Sequence, residues 1–166
     1  MRDESADQEQ LRLKLMSLAA EFREAMETIA RVPCGVPDVV RHNFKAFPKD
    51  MCERTSNLLG RYLRENGIES AEYVCRGRRK KSGPGNERHA WLEVCGLVID
   101  ITADQFPDQR EPVIVTADHS WHSTFCHPEE RRDAGDLSGY LKTVRDEQYC
   151  RVYPEVVKRI PRRSGL

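Results

Sequence analysis

The chain has 166 residues, enough for one domain with a sizeable hydrophobic core and too few for two. Lys and Arg together number 27, as do Asp and Glu, so the formal net charge is zero and no overall field favours nucleic acid or an anionic membrane as a partner. With 33% charged and 39% hydrophobic residues, the composition is typical of a soluble globular protein rather than a disordered chain.

The sequence contains no recognisable targeting segment. The first ten residues, "MRDESADQEQ", have no apolar region, and no run of about eighteen apolar residues occurs anywhere. We therefore expect no Sec-type export signal, no membrane span and a cytoplasmic location. In a reducing compartment the six cysteines are expected to be thiols, and because none forms a CxxC pair, structural zinc and thioredoxin-like chemistry are disfavoured. The six are Cys34, Cys52, Cys75, Cys95, Cys126 and Cys150.

The N-terminal part of the chain predicts two helices within one domain that spans residues 1–166. Apolar residues recur at intervals of three and four and predict an amphipathic helix over about residues 5–31, which ends before Pro33. A short helix is predicted to begin at Pro37-Asp38 and to end by Pro48.

A third helix is predicted in "KDMCERTSNLLGRYLRENG". Asp50 is the expected N-cap, with Glu53 three residues later completing a capping box, and Asn66-Gly67 is the expected end. Cys52 therefore falls in the first turn of a helix.

Strands are predicted in the second half of the chain. A strand is expected around residues 71–75, followed by a loop, "RGRRKKSGPGNER", over residues 76–88, which contains the basic run "RGRRKK" at 76–81, and then by a hairpin from His89. Beyond the hairpin the sequence is loop-like apart from a short apolar run at residues 113–115. A helix is predicted over residues 136–149, and a frayed tail over about residues 158–166.

The hairpin brings a histidine and an aspartate to one face. In "RHAWLEVCGLVIDITADQF", a two-residue turn at Cys95-Gly96 sets the register of the two strands. The predicted pairs are Val94 with Leu97, Leu92 with Ile99, Trp91 with Asp100 and His89 with Thr102. His89 and Asp100 are then diagonal neighbours on the face opposite the core, where polar residues are ordinary, with roughly 7 Å or less between their Cβ atoms.

Cys52, His89 and Asp100 have the residue types of a thiol-based catalytic triad. A cysteine in the first turn of a helix lies at the positive end of the helix dipole, which favours the nucleophilic thiolate. A nearby histidine can exchange a proton with the thiol, and a carboxylate on the other ring nitrogen fixes its tautomer and orientation.

A cysteine that opens a helix, followed by "HAWLEV" on one strand and "LVIDIT" on the next, resembles the catalytic core of the transglutaminase-like and papain-like cysteine enzyme superfamily. The resembling stretch is about residues 47–106, roughly a third of the chain. The resemblance implies an α+β fold with helices packed on a small antiparallel sheet, and no cofactor. It also implies Cys52 as nucleophile, His89 as acid and base, and Asp100 as the residue that orients His89.

The resemblance also implies a substrate class. Relatives include peptidases, transglutaminases, arylamine acetyltransferases, peptide-maturation proteases and bacterial effector deamidases that act on protein glutamine side chains. We therefore expect a protein or peptide substrate whose amide is cleaved or deamidated, and, by analogy with small effectors, delivery by a specialised secretion system. Many relatives carry Gly or Trp around the nucleophile, whereas Asp50 and Glu53 flank the thiol here. Their charge opposes a thiolate unless they act as caps or pair with Lys49 or Arg54.

Three assignments stay open at this point. The backbone N–H of Cys52 is one oxyanion donor, and Asn43 or His42 is a candidate for the second. Asp104 and Gln105 compete with Asp100 for the orienting role. Trp91 is expected either to line the substrate groove or to cover the sheet.

Other kinds of function also remain open. Four potential zinc ligands occur in "DHSWHSTFCH": His119, His122, Cys126 and His127. The basic run could bind nucleic acid, although without interleaved aromatic residues a solvated loop is favoured, and it could steer an acidic substrate. A non-catalytic binding protein on the same fold is the main rival. The oligomeric state is not predicted.

Overall fold

Five antiparallel strands form one open sheet in the computed structural model, which describes residues 4–161. The strands are β1 (Glu72–Arg79), β2 (Asn86–Val94), β3 (Leu97–Asp100), β4 (Ile114–Thr116) and β5 (His127–Asp133), in the order β4-β3-β2-β1-β5. The helices are α1 (Glu4–Arg31), α2 (Asp38–Lys45), α3 (Cys52–Glu65), α4 (Val144–Cys150) and α5 (Tyr153–Lys158). The predicted α+β class is confirmed. Within residues 4–161, no helix is long and apolar enough to span a membrane.

The hairpin between β2 and β3 follows the predicted register. Val94 pairs with Leu97, and Leu92 pairs with Ile99. The two turn residues both have positive φ, 48° at Cys95 and 80° at Gly96, as a tight two-residue hairpin turn between twisted strands requires. The local turn therefore sets which side chains of the two strands share a face.

The helices cover one face of the sheet. Alternate strand residues on this face are buried in one large apolar cluster with the inner stripe of α1, whose side chains include Leu15, Leu18 and Phe22. The strand residues of the cluster include Tyr73, Cys75, Ala90, Leu92, Val94, Leu97 and Ile99.

The opposite face of the sheet is also apolar, which alternation alone did not indicate. Phe106 and Phe125, from the long connection between β3 and β5 that contains the short strand β4, are buried against it, and Trp121 packs beside them. Strand residues Val74, Trp91 and Val98 complete this second cluster. His89 and Asp100 lie on this face and are therefore enclosed rather than exposed.

Several predicted elements are confirmed. The first helix spans 4–31 against the predicted 5–31, and the second begins at Asp38 as expected. The third ends with Asn66 as C-cap, followed by Gly67 at φ 80°, a conformation that glycine adopts without steric cost. The apolar run at 113–115, for which no strand was predicted, overlaps the short strand β4 at Ile114–Thr116.

Other predictions for local structure are wrong. Of the predicted loop over residues 76–88, the first four residues belong to β1 and the last three to β2. The first four all pair with β2, and Arg76 and Gly77 also pair with β5. Strand β5, "HPEERRD", was not predicted because an edge strand with mostly solvated side chains has no apolar alternation. The predicted helix over 136–149 is a 3₁₀ turn at Leu137–Gly139 followed by α4, and α5 was not predicted. Within the predicted tail, residues 162–166 lie outside the described residues.

Candidate functional site

A hydrogen bond between α3 and β2 places the thiol beside the imidazole. Ser56 Oγ donates to the carbonyl oxygen of Ala90 at 3.2 Å, and Ala90 directly follows His89. Cys52 lies one turn before Ser56 on the same side of the helix, because residues four apart share a face. The first residue of α3 is therefore presented to the imidazole, with its side chain only partly buried.

The two ring nitrogens of His89 face different groups. Nε2 lies 2.5 Å from Asp100 Oδ2, and the whole residue is buried. Because a carboxylate only accepts hydrogen bonds, the proton of a neutral His89 is held at Nε2. Nδ1 makes no hydrogen bond within the described residues, and Cys52 lies close enough to act on the imidazole. Nδ1 is thus the nitrogen available to the thiol.

The electrostatics of the pair favour a charged imidazole. Burial by itself lowers the pKa of His89, but the Asp100 carboxylate and the nearby Cys52 side chain outweigh it and raise the pKa from 6.5 to about 9. Burial likewise raises the pKa of Asp100, but His89 and a second histidine, His122, hold it well below its usual value. These shifts favour an imidazolium at His89, paired with the ionised Asp100 carboxylate and next to Cys52.

His122 is a member of the site that sequence reasoning did not find. It is 2% exposed, and its Nε2 lies 2.8 Å from the same Asp100 oxygen that His89 contacts. The other oxygen, Oδ1, accepts the Thr102 N–H at 2.9 Å and the Thr102 hydroxyl at 3.3 Å. The only sequence signal was the histidine-rich segment, which we interpreted as a candidate metal site.

The predicted His119–His127 cluster is not brought together. His119 lies on the surface, where its Nε2 contacts the carbonyl oxygen of Gly96 at 2.8 Å, and Cys126 and His127 are exposed. Only His122 of the four reaches the interior.

A different set of potential metal ligands does assemble. Potential ligand atoms of His89, Asp100 and His122 lie within 4.8 Å of one another, the one such group among residues 4–161. Two zinc ligands at 2.0–2.1 Å in a tetrahedral site are separated by roughly 3.3 Å. The nitrogen–oxygen distances of 2.5 and 2.8 Å are shorter than this, and they are the lengths of hydrogen bonds.

The competing orienting residues have other partners. Both carboxylate oxygens of Asp104 accept hydrogen bonds at 2.8 Å from the buried guanidinium of Arg23. Gln105 Oε1 accepts the backbone N–H of Asp50 at 3.2 Å, and its Nε2 donates to the carbonyl oxygen of Thr102 at 2.9 Å. In the described structure, His89 is oriented by Asp100.

The structure also locates the three weaker candidates. Trp91 is 1% exposed in the second apolar cluster and donates from Nε1 to Glu93 at 3.1 Å, so it covers the sheet. Asn43 accepts from Arg145 at 3.0 Å, and His42 is exposed on α2. Neither Asn43 nor His42 lines the groove beside the thiol.

The first turn of α3 differs from the predicted capping box. Met51, not Asp50, is the N-cap, and no side chain caps the turn. Asp50 adopts the left-handed conformation at φ 57° and is exposed, so its carboxylate is solvated. Within residues 4–161 neither Asp50 nor Glu53 forms an ion pair. Arg54 donates to the Asp50 carbonyl oxygen at 3.4 Å, and its guanidinium lies over the Tyr149 ring. The N–H groups of this turn are therefore left open beside the thiol.

A groove of about 480 Å³ lies next to the pair. Its walls include Asp50, two residues before the thiol, and Arg88, directly before the imidazole. The full lining is Lys49, Asp50, Lys80, Asn86, Glu87, Arg88, Gln105, Phe106 and Pro107. Cys52 and His89 are not among these lining residues, but Asp50 and Arg88 lie near them in the chain. A slightly larger recess, about 530 Å³, is lined by residues of α1, α3 and the C-terminal segment, and none of these is next to Cys52 or His89 in the chain. The smaller groove is the candidate substrate site.

No family model, curated protein or solved structure matches this chain.

Proposed function

We propose that this protein is a thiol-dependent amide hydrolase or deamidase with a papain-like or transglutaminase-like core. One observation carries the proposal: His89 is held on Asp100 through Nε2 at 2.5 Å, while its other nitrogen is left for Cys52 at the start of α3. The residue types, their order and the tautomer all suit nucleophilic acyl transfer. The substrate is an amide in a peptide or protein.

The first half of the proposed reaction forms a thioester. The Cys52 thiolate attacks the amide carbonyl carbon, and the carbonyl electron pair moves to the oxygen. As the tetrahedral intermediate collapses, the carbon–nitrogen bond breaks, and the nitrogen leaves with the proton that the His89 imidazolium donates. The leaving group is an amine for a peptide bond, and ammonia for a glutamine side chain.

The second half consumes water. The neutral imidazole of His89 removes a proton from a water molecule as its oxygen attacks the thioester carbon. The carbon–sulfur bond then breaks, so that the product is a carboxylic acid and the thiolate–imidazolium pair is restored. Because Cys52 is partly exposed, water can reach the thioester.

The charge on the carbonyl oxygen needs two donors. The backbone N–H of Cys52 belongs to the uncapped first turn of α3 and supplies one. Gln105 is the best-placed second donor, because it lines the groove and is fixed by the Asp50 N–H and the Thr102 carbonyl oxygen. Its amide nitrogen carries two hydrogens, and Thr102 engages only one of them.

Replacing Gln105 with alanine should lower kcat by about 10²-fold and leave KM nearly unchanged, because an oxyanion donor acts mainly in the transition state. The control is the rate at which iodoacetamide alkylates Cys52, which forms no oxyanion. An equal fall in alkylation would assign Gln105 a structural role and contradict the oxyanion assignment.

Cys52→Ala should abolish turnover, because the nucleophile is lost, whereas Cys126→Ala, which removes an exposed thiol, should leave turnover unchanged. Turnover is measured on a peptide library as ammonia release from glutamine and as peptide cleavage by mass spectrometry. Full activity in Cys52→Ala would refute the proposed function. Binding of library peptides without turnover by the wild type would instead support the rival reading as a binding protein.

A further inference from the structure

His122 is a buried titratable group that contacts the proposed catalytic residues but takes no part in the proposed reaction. It lies in the 3₁₀ turn His122–Thr124, on the long connection between β4 and β5, and it packs against Trp91 and Trp121 at ring-centroid distances of 4.9 and 4.8 Å. A purely apolar side chain would fill that space without the cost of burying an imidazole. Its position on Asp100 therefore calls for a chemical explanation.

The bond to Asp100 fixes the proton of His122. Since Oδ2 of the carboxylate can only accept, both His89 and His122 donate to it from Nε2. With the two Thr102 bonds on Oδ1, Asp100 accepts four hydrogen bonds in a buried setting. Because the N–H groups of His89 and His122 share the charge of one Asp100 oxygen, the hydrogen bond of each is weaker than it would be if that group were the single donor.

We infer that His122 is a positioning residue of the proposed active site, which limits how strongly Asp100 holds the His89 proton. A general acid that is held too strongly by its carboxylate is slow to protonate a leaving amine, so this sharing favours the first half of the reaction. The inference rests on the proposed function, because it concerns the acid that the proposed reaction needs.

His122 acts from the side away from the substrate groove. It lines a separate recess of about 240 Å³, which shares no residue with the groove. The titratable groups that face it are Asp100, His89 and Asp118, and Glu111 lines the same recess. A change at His122 should therefore reach the chemistry only through Asp100, and should not alter substrate binding.

The test compares His122→Phe, which keeps a ring but has no donor, with His122→Gln, whose amide N–H can replace the lost hydrogen bond. In His122→Phe the titration midpoint of His89, followed by NMR of labelled histidine, should rise by about one pH unit, because Asp100 then acts on His89 alone. kcat should fall by up to about tenfold, with KM unchanged. His122→Gln should resemble the wild type in both measurements.

An unchanged or lower His89 midpoint in His122→Phe would overturn the inference, as would a Gln variant that behaves like the Phe variant. His122→Met, a second variant without a donor, gives the same readout if the Phe variant does not fold. The NMR titration needs no substrate, so it judges the role of His122 even if Cys52→Ala keeps full turnover. Conversely, Cys52→Ala could lose turnover while His122→Phe leaves the His89 titration midpoint unchanged. That result would leave the proposed function intact and remove only this inference.

Discussion

Replacing Asp100 with asparagine should lower kcat by about 10⁴-fold while the protein remains folded. The asparagine carbonyl oxygen can accept the Thr102 N–H, as Oδ1 does now, which turns its NH₂ group towards the two histidines. His89 must then accept at Nε2 and carry its proton on Nδ1, which faces Cys52. An imidazole in that tautomer cannot take the thiol proton.

Asp100→Ala separates this chemical effect from a structural one. It leaves the N–H groups of His89, His122 and Thr102 without their buried acceptor, so the free energy of unfolding should fall by about 3–5 kcal/mol. Urea unfolding measures this loss, and Glu69→Ala, which removes an exposed carboxylate, is the control, with an expected change within about 0.5 kcal/mol. Wild-type kcat in Asp100→Asn would contradict the triad.

The stability lost in Asp100→Ala should depend on pH in a definite direction. The pKa of Asp100 is lowered on folding, so its contribution is present above the unfolded value of 3.8 and is lost as the pH falls through the folded pKa. The pKa of His89 is raised on folding, so its contribution to stability is complete below its unfolded value, pH 6.5, and is lost as the pH rises through about 9. The difference in free energy of unfolding between wild type and Asp100→Ala should therefore be greatest between pH 3.8 and 6.5.

The pairing of His89 with Asp100 could be predicted because it depends on local structure. A two-residue turn fixes the register, and the period of two then places both side chains on one face. The position of Cys52 at the start of a helix could be predicted for the same reason, but the identity of the N-cap residue could not. Asp50 adopts a left-handed conformation, and the N-cap position passes to buried Met51, which no rule of residue preference indicates.

The role of His122 could not be predicted because it depends on a contact between distant segments. It lies 22 residues after Asp100, in a connection without hydrophobic periodicity. In such a segment the sequence does not indicate which side chains are buried. The second apolar cluster escaped prediction for the same reason. Phe106, Trp121 and Phe125 are spaced irregularly, and only the folded connection brings them over His89, at ring-centroid distances of 4.9, 5.7 and 5.4 Å.

Arg78→Met should destabilise the protein by about 3–5 kcal/mol, because it removes the buried charge that joins this connection to the sheet. Arg78 is 3% exposed on β1 and donates to Glu87 at 2.7 Å, to Asp108 at 3.0 and 3.1 Å, and to Thr124 at 2.9 Å. Its guanidinium carbon also lies 4.1 Å from the ring centroid of Phe125. Two carboxylates lose a partner in the variant, and the stacked aromatic residues lose a cation.

The matched control is Arg79→Met, which removes the same charge from the neighbouring, exposed residue, and its expected change is within about 0.5 kcal/mol. Urea unfolding compares the two variants, and hydrogen exchange follows the connection over residues 106–125. Exchange there should become faster in Arg78→Met alone. Equal effects of the two substitutions would contradict the role of Arg78 as the anchor of the connection.

Arg78→Met should also change how the free energy of unfolding depends on pH at acidic pH. Burial raises the pKa of Asp108, but hydrogen bonds from Arg78, Lys81 and Trp121 outweigh it and lower the pKa well below 3.8. Its contribution is therefore present above pH 3.8 and is lost as the pH falls through the folded pKa. The free energies of unfolding of wild type and Arg78→Met should thus become equal as the pH is lowered.

Because the connection covers His89, its release admits water to the imidazole and to the Asp100 carboxylate, which weakens their attraction. Arg78→Met should thus lower the His89 titration midpoint, the direction opposite to that expected for His122→Phe.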